Sequence, residues 1–320
     1  MIASELKTYI GIDVGGTNSR FALIDGDGRI IERKRQPTEI NLGRERFLER
    51  FFSGIDGMRR EAAAVGREVC AIGAGVPGLI SGEGLIYSSV NLTPIEGLNL
   101  RDLICEATGL PAVVVNDANA SAWGEKRYGA GRPFGSLLMF TLGTGVGSGL
   151  VLDGKLWTGI DGVAGEYGHA TVEPEGIPCT CGNRGCLEQY ASASALVAAA
   201  VKALGKGENG ALAELSPAGI TTERIAAAAA KGDPLAGALF ERAGRYLGIA
   251  AAAAVNLLNL EAIILGGGVS ASFDLLAEPM RREIARRAFA IPAGRVKIIQ
   301  CELGDDAGIL GAAGFMGTDQ

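Results

Sequence analysis

The stretch "IGIDVGGTNSRFALIDGDG" at residues 10–28 has the pattern of a strand, a loop of glycine and threonine, a second strand and an Asp-Gly turn. The stretch "MFTLGTGVGSGLVLDGKL" at residues 139–156 repeats the same order of elements. Each is typical of a β-hairpin with a glycine-rich bend. The recurrence predicts a duplicated domain, with two such loops facing each other across a cleft of the kind where ligands commonly bind.

The rest of the chain alternates between strand-like and helix-like segments, as α/β proteins do. Further strands are predicted at "RIIERKRQ", "EVCAIGAGVPG", "PAVVVNDAN", "EAIILGGGVS" and "VKIIQCEL". Helices are predicted at 44–65, over "ASAWGEKRYGAG", and at 192–203, 222–231, 234–258 and 305–316.

Composition and charge restrict the class of protein. The chain has 320 residues, 48% of them hydrophobic and 21% charged, which indicates a soluble globular protein of two domains. The net charge of −6 disfavours nucleic acid as a partner. The most apolar long run contains Asn256, Asn259 and Glu261, so it indicates a buried helix and strand rather than a membrane span. Six cysteines without an export signal predict reduced thiols in the cytoplasm.

The two glycine-rich loops suit phosphate binding, because glycine lets backbone N–H groups approach an anion closely. A Walker A loop is excluded, since "GLVLDGKL" at 149–156 has Leu156 in place of Ser or Thr. A Rossmann loop is excluded, since "LGTGVGSGLVL" leads into a strand rather than a helix. The Asp-x-Gly-Gly-Thr loop "DVGGTN" at 13–18 remains, and its Asp13 could supply a carboxylate for Mg²⁺, usually through water.

The segment "GHATVEPEGIPCTCGNRGCLEQY" at 168–190 contains the only histidine of the chain and three of its cysteines. His169, Cys179, Cys181 and Cys186 have the spacing H-x9-C-x-C-x4-C, which suits tetrahedral Cys₃His zinc. The alternative is ordinary buried cysteines beside a surface histidine, but the segment has no apolar periodicity that would bury them. No ligand position remains open, so we expect a structural rather than a hydrolytic zinc.

The stretch "VVVNDANAS" places Asn116 and Asp117 at the end of a buried strand. Either residue could cap the following helix. Asp117 could instead serve as the base that accepts the proton of an alcohol during phosphoryl transfer. Both interpretations stay open on these residues alone.

The motifs "GIDVGGTN", "TLGTGVGSG", "GEYGH" and "CTCGNRGCLE" together resemble the ROK family of sugar kinases and sugar-responsive repressors, and the resemblance extends from about Ile10 to Gly314. It implies an α/β fold of the actin/hexokinase-like (ribonuclease H-like) type, with two domains around an interdomain cleft. We expect a smaller domain of residues 1–118 plus 303–320, and a larger one of 119–302 that carries the zinc loop.

The resemblance also implies cofactors and site residues: ATP and Mg²⁺, with phosphate transferred to a hexose hydroxyl and Asp117 as the catalytic base. Asp13 would serve Mg²⁺. The residues that match ATP-binding positions are Asp13, Gly15, Gly16, Thr17, Asn18, Gly143, Thr144, Gly145, Gly266, Gly267 and Gly268. The residues that match sugar-binding positions are Gly78, Asn116, Asp117, Glu166, His169 and Glu188, with Asn91 as a further candidate. His169 would bind zinc with one ring nitrogen and offer an N–H to the sugar with the other.

Two positions depart from the common family pattern, because Asn18 replaces a lysine and Ser148 replaces a glycine. Neither change removes a donor that the chemistry requires. The resemblance implies that the family's repressors carry an N-terminal helix-turn-helix domain. Because the first loop begins at residue 11 of this sequence, we do not expect that domain here. We therefore expect a glucokinase acting at the 6-hydroxyl. Kinases for N-acetylglucosamine, N-acetylmannosamine, mannose or fructose, or a non-catalytic sugar sensor, are the alternatives, and a homodimer without membrane contact is expected.

Overall fold

The computed structural model describes residues 7–208 and 210–316. Its strands are β1 (Lys7–Val14), β2 (Asn18–Asp25), β3 (Ile30–Pro37), β4 (Glu68–Val76), β5 (Leu79–Ile80), β6 (Ile86–Ser88), β7 (Ala112–Asn116), β8 (Leu137–Leu142), β9 (Val146–Leu152), β10 (Lys155–Trp157), β11 (Ala262–Gly266) and β12 (Lys297–Gln300). Its helices are α1 (Arg44–Ala64), α2 (Leu100–Thr108), α3 (Asp117–Tyr128), α4 (Glu188–Ala191), α5 (Ala193–Leu204), α6 (Thr222–Ala230), α7 (Pro234–Leu258), α8 (Phe273–Arg287), α9 (Ala290–Arg295) and α10 (Ala307–Gly314).

Two five-stranded sheets share one arrangement. The first has the order β3-β2-β1-β4-β7, in which β1, β2 and β3 are antiparallel neighbours and β1, β4 and β7 are parallel. The second has the order β10-β9-β8-β11-β12, in which β9 and β10 are antiparallel and β8, β11 and β12 are parallel. Each sheet thus combines an antiparallel edge with a parallel half, in agreement with the repeat in the sequence.

The chain forms two compact units. Within the described residues, the first unit comprises 7–133, 149–165 and 302–316, and the second comprises the remainder. These units group α3 with the first part of the chain, whereas the sequence-based boundary after residue 118 groups most of α3 with the second. The sequence-based boundaries stay a prediction, and their terminal residues 1–6 and 317–320 lie outside the described residues.

In the first unit, α1 packs on one face of the sheet. Its buried face carries Phe47, Phe51, Ile55 and Met58, which recur at three- and four-residue intervals as expected for an amphipathic helix. The ring of Phe51 lies 6.1 Å from that of Phe21 on β2. The sheet is therefore anchored to α1 by aromatic packing.

On the other face, α10 approaches the sheet and α3 at backbone distance. A Cβ atom on Gly11 of β1 would overlap the carbonyl oxygen of Ile309, and one on Gly73 of β4 would overlap that of Ala312. A Cβ atom on Gly124 of α3 would likewise overlap backbone atoms of α10. These glycines let α10 lie directly against the strand that ends at Asp13 and the helix that begins at Asp117.

In the second unit, the Ala-rich α7 packs against α8. Cβ atoms on Gly244 or Gly248 of α7 would overlap atoms of α8, so small residues set this close spacing. The sequence patterns predict α7 at its observed bounds but assign no element to α8, which contains Pro279. No helix among residues 7–208 and 210–316 is long and apolar enough to cross a membrane.

Gly73→Ala should destabilise the protein by about 1–3 kcal/mol, because the added methyl overlaps the backbone of α10 and neither element can move freely. Gly82→Ala is the matched control, since Gly82 is exposed in the same unit and its Cβ position is open. Denaturant unfolding monitored by fluorescence measures both variants. Equal midpoints for the two variants would contradict this account of α10.

Candidate active site

The bend between β1 and β2 is held in a defined conformation. The N–H of Gly15 donates to the carbonyl oxygen of Asn18 at 3.0 Å, and the hydroxyl of Thr38 donates to the carbonyl oxygen of Gly15 at 2.7 Å. Gly16 and Thr17 are exposed at the tip. The predicted phosphate-loop residues of the first unit thus form a fixed bend whose tip an anion can approach.

Asp13, at the end of β1, forms an ion pair that the sequence reasoning missed. Arg20 lies directly opposite Asp13 in the β1–β2 register, and its Nε donates to Asp13 Oδ2 at 3.0 Å. The Arg20 guanidinium also lies 3.8 Å from Asp305. The symmetry of the predicted hairpin could have identified the pair, because residues opposite each other in an antiparallel pair share one face. A largely buried carboxylate beside the predicted phosphate loop fits Mg²⁺, which commonly takes one or two carboxylates plus phosphate oxygens and water.

Asn116 caps α3, as one of the two sequence interpretations expected. Its Oδ1 accepts the N–H groups of Ala118 at 2.9 Å and Asn119 at 3.0 Å, while its Nδ2 donates to the carbonyl oxygen of Gly78 at 3.1 Å. Asp117 is the first residue of the helix, and its Oδ1 accepts the N–H of Ala118 at 2.9 Å. The Asp117 carboxylate is therefore held at the N-terminus of α3, where the helix dipole interacts favourably with negative charge.

The local backbone packing requires a glycine at position 78. Its φ is +128°, and a Cβ atom there would overlap the carbonyl oxygen of Ser88. The hydroxyl of Ser89 donates to the carbonyl oxygen of Pro77 at 2.6 Å, so residues 77–78 are held against residues 88–89. Asn91 lies on this side of the unit, its Cβ 3.6 Å from the Cβ position of Gly16. Direct contact of Gly78 or Asn91 with sugar stays a prediction.

In the second unit, the predicted nucleotide loops are neighbours. The N–H of Gly143 donates to the carbonyl oxygen of Gly145 at 3.0 Å, and Thr144 is exposed. Gly267 has a φ of +79°, and a Cβ atom on it would contact the backbone of Leu142. The glycine loop at 266–268 therefore lies against the start of the loop at 143–145.

The three sugar candidates of this unit also lie in one neighbourhood. Glu188 Oε2 accepts the N–H of Val146 at 3.0 Å. The pKa of Glu166 is raised, first because nearby protein atoms desolvate its carboxyl and also because Glu188 is close, while His169 opposes the shift. The two carboxylates and the imidazole thus lie close together. The carboxylates could accept hydrogen bonds from hydroxyl groups, and the imidazole N–H could donate one.

The four predicted zinc ligands converge. The ligand atoms of His169, Cys179, Cys181 and Cys186 all lie within 4.8 Å of one another. Cys181 Sγ is 3.6 Å from Cys186 Sγ, and Cys179 Sγ is 3.7 Å from His169 Nδ1. A tetrahedron with zinc–sulfur bonds of about 2.3 Å separates its sulfur atoms by roughly 3.8 Å, so the donor set fits this ion.

The thiols of the cluster influence each other's ionisation. Burial raises the pKa of Cys179, but hydrogen bonds with Cys181, His169 and Cys186 outweigh it and lower that pKa to about 7. Burial, together with Cys181 and Cys179, raises the pKa of Cys186 to about 12. Three thiols this close cannot all ionise without a compensating cation, and zinc binds thiolates. The chemistry of the donors therefore also fits a metal.

Comparison with known proteins assigns the chain to a family. The model of the ROK family matches residues 9–318. The chain belongs to the ROK family. A glucokinase of Halalkalibacterium halodurans is 37% identical over 311 residues, which cover 95% of this chain and 93% of the relative. The resemblance seen in the sequence motifs is thereby confirmed.

Solved structures of ROK proteins confirm the fold. A ROK family glucokinase from Streptomyces griseus, in complex with glucose and AMPPNP, is 35% identical with a TM-score of 0.81, covering 96% of this chain and 98% of that chain. A ROK family transcriptional regulator, a homolog of the E. coli MLC protein, is 30% identical with a TM-score of 0.90, covering 98% of this chain and 78% of that chain. The expected α/β, actin/hexokinase-like fold is therefore present.

Purified protein should contain about one zinc per chain, and Cys181→Ala should lose it and weaken sugar binding, because residues 168–190 have few apolar side chains to order them. Cys105→Ala is the matched control, since this cysteine lies on α2 outside the cluster. Elemental analysis and sugar titration are compared for the three proteins. A metal-free, fully active wild type would contradict the structural role of zinc.

Proposed function

We propose that the protein is a sugar kinase that transfers phosphate from ATP to the 6-hydroxyl of a hexose, with glucose as its substrate. The observation that carries the proposal is Asp117, a carboxylate at the first residue of α3 and beside the capping Asn116, in a chain whose relatives include glucokinases. The N–H of Ala118 fixes Asp117 Oδ1 at 2.9 Å, and a positioned carboxylate can act as the general base for a hydroxyl.

The transfer requires a base and positive charge near the phosphate oxygens. An Oδ atom of Asp117 would take the proton of the sugar hydroxyl as the hydroxyl oxygen attacks the terminal phosphorus of ATP. The bond from that phosphorus to the bridging oxygen would break, and ADP would leave. Asp13 would hold Mg²⁺, which would supply positive charge to the phosphates when bound. Arg20 fixes the Asp13 carboxylate in the structure and would keep it oriented toward the phosphate loop.

Nucleotide binding is proposed for loops in both units. In the first unit, the exposed tip residues Gly16 and Thr17 would direct N–H groups and the Thr17 hydroxyl at phosphate, while the hydrogen bond between Gly15 and Asn18 holds the bend that carries them. In the second unit, the loop at 143–145 would do the same, and the glycine loop at 266–268 would lie along the adenosine. The loop shapes described above support these roles.

Sugar recognition is proposed for Glu166, His169 and Glu188 in the second unit, and for Asn116 and Asp117 in the first. The carboxylates would accept hydroxyl hydrogens. His169 Nδ1 faces Cys179, so the other ring nitrogen, Nε2, would serve the sugar while Nδ1 binds the metal. The zinc would have no catalytic part, because its four protein ligands complete a tetrahedron.

A second candidate function is a sugar sensor without catalysis. The observation that favours it is the high structural similarity to a transcriptional regulator of the same family. A sensor would bind sugar but transfer no phosphate from ATP, so a turnover assay separates the two functions. Hexoses other than glucose, namely N-acetylglucosamine, N-acetylmannosamine, mannose and fructose, share many of the hydroxyls that the candidate residues would contact.

Asp117→Asn should reduce turnover of glucose by about 10²–10⁴-fold, because it removes the proton acceptor while keeping the size of the side chain. Asp102→Asn is the control, since Asp102 also lies in the first turn of a helix of the same unit. A coupled assay measures kcat, and calorimetry measures glucose binding. Near-normal kcat in Asp117→Asn would show that another residue is the base.

Asp13→Ala should reduce turnover with ATP by at least about 100-fold, because a preorganised electrostatic contact at the phosphates is lost. Glucose binding without nucleotide should change less than about twofold. Asp27→Ala, in the exposed turn at the other end of β2, is the control. Loss of glucose binding with retained ATP binding in Asp13→Ala would contradict the assignment of Asp13 to the nucleotide.

A further inference from the structure

Two side chains tie the segment proposed to bind sugar to the loop proposed to bind phosphate, within the second unit. Glu188 Oε2 accepts the N–H of Val146 at 3.0 Å, although the two residues are 42 positions apart in sequence. Ser148 is 2% exposed, and its Oγ accepts the N–H of Tyr167 at 3.0 Å. The start of β9 is thus hydrogen-bonded to both ends of residues 166–188, the segment proposed to bind sugar.

Two glycines make this approach possible. A Cβ atom on Gly145 would overlap Glu188 Oε2, and a Cβ atom on Gly168 would overlap the carbonyl oxygen of Val146. Neither glycine has a positive φ, so each is needed for space rather than for backbone conformation. Gly143, two residues before Gly145, differs from both because a Cβ atom there would meet nothing within 4 Å.

We propose that Glu188 couples sugar binding to nucleotide binding, and that Gly145 is the positioning residue that makes the coupling possible. One oxygen of the Glu188 carboxylate, Oε2, accepts the backbone N–H of Val146 beside the loop proposed to bind phosphate. The other oxygen would accept a hydrogen bond from a sugar hydroxyl. A sugar that fixes Glu188 therefore also fixes the N–H groups at 145–146. The inference rests on the proposed function, because it assigns sugar to Glu188 and phosphate to this loop.

Coupling of this kind is reciprocal and measurable. A ligand that orders a shared group reduces the ordering cost for the second ligand, and the two affinities change by the same factor. Ser148 extends the same linkage to Glu166, because its hydroxyl holds the next residue, Tyr167.

The test compares wild type with Gly145→Ala, using calorimetry with glucose, with AMPPNP, and with each in the presence of the other. Wild type should bind glucose at least about 5-fold more tightly when AMPPNP is present. Gly145→Ala should weaken glucose binding about 10-fold without any nucleotide, since its methyl displaces Glu188, and should reduce the coupling factor to near one. Gly237→Ala is the matched control in the same unit, because a Cβ atom there would meet nothing within 4 Å, and it should leave glucose affinity and the coupling factor unchanged.

Ser148→Ala is a second variant that introduces no overlap, so it addresses the same linkage if Gly145→Ala folds poorly. It should also lower the coupling factor while retaining its metal. The inference would be overturned if folded Gly145→Ala or Ser148→Ala kept the glucose affinity and the coupling factor of wild type. If wild type still phosphorylates glucose, that result leaves the proposed function intact. A wild type that neither binds nor phosphorylates any hexose would refute the proposed function and the inference with it.

Discussion

The first unit depends on the backbone contact of α10 with β1, β4 and α3. Gly11, Gly73 and Gly124 have no side chain at the points where carbonyl oxygens of α10 lie. Because β1 ends at Asp13 and α3 begins at Asp117, this contact fixes the elements that carry both acids. A Cβ atom on Gly308 of α10 would lie 3.6 Å from the Asp13 carboxyl carbon, so the close packing continues to Asp13 itself. The relative positions of Asp13 and Asp117 therefore depend on how closely α10 packs against β1, β4 and α3.

In the second unit, metal coordination rather than close backbone packing would position the polar groups. Its zinc-ligand segment has few apolar residues, so a metal held by one histidine and three cysteines would order it where burial cannot. Glu188 follows two residues after Cys186 and reaches back to the amide of Val146. A metal ligand, a sugar-binding candidate and a phosphate loop are thus joined within a short distance. Under the proposed function, this arrangement would let a change at Gly145 alter sugar affinity through Glu188.

Features encoded by local spacing could be predicted from the sequence. The four predicted zinc ligands, whose donor atoms the structure brings together, lie within 18 residues, and Asn116 adjoins the helix that it caps. Features that depend on distant residues could not. The bond between Glu188 and Val146, the ion pair of Arg20 with Asp13, and the packing of Gly124 on α10 require the register or the tertiary contacts to be known. Helix α8 was not predicted, because Pro279 in its interior removes an N–H donor and argues against a helix.

The central claim is that the chain phosphorylates glucose at the 6-hydroxyl, and product analysis tests it most directly. Protein with its zinc content determined is incubated with Mg²⁺, ATP and each of five sugars: glucose, N-acetylglucosamine, N-acetylmannosamine, mannose and fructose. Turnover is followed by ADP release, and phosphorus–proton NMR identifies the phosphorylated hydroxyl. We predict glucose 6-phosphate, with the highest kcat/KM of the set. Glucose binding without phosphate transfer to any of these sugars, or transfer to another hydroxyl, would contradict the claim.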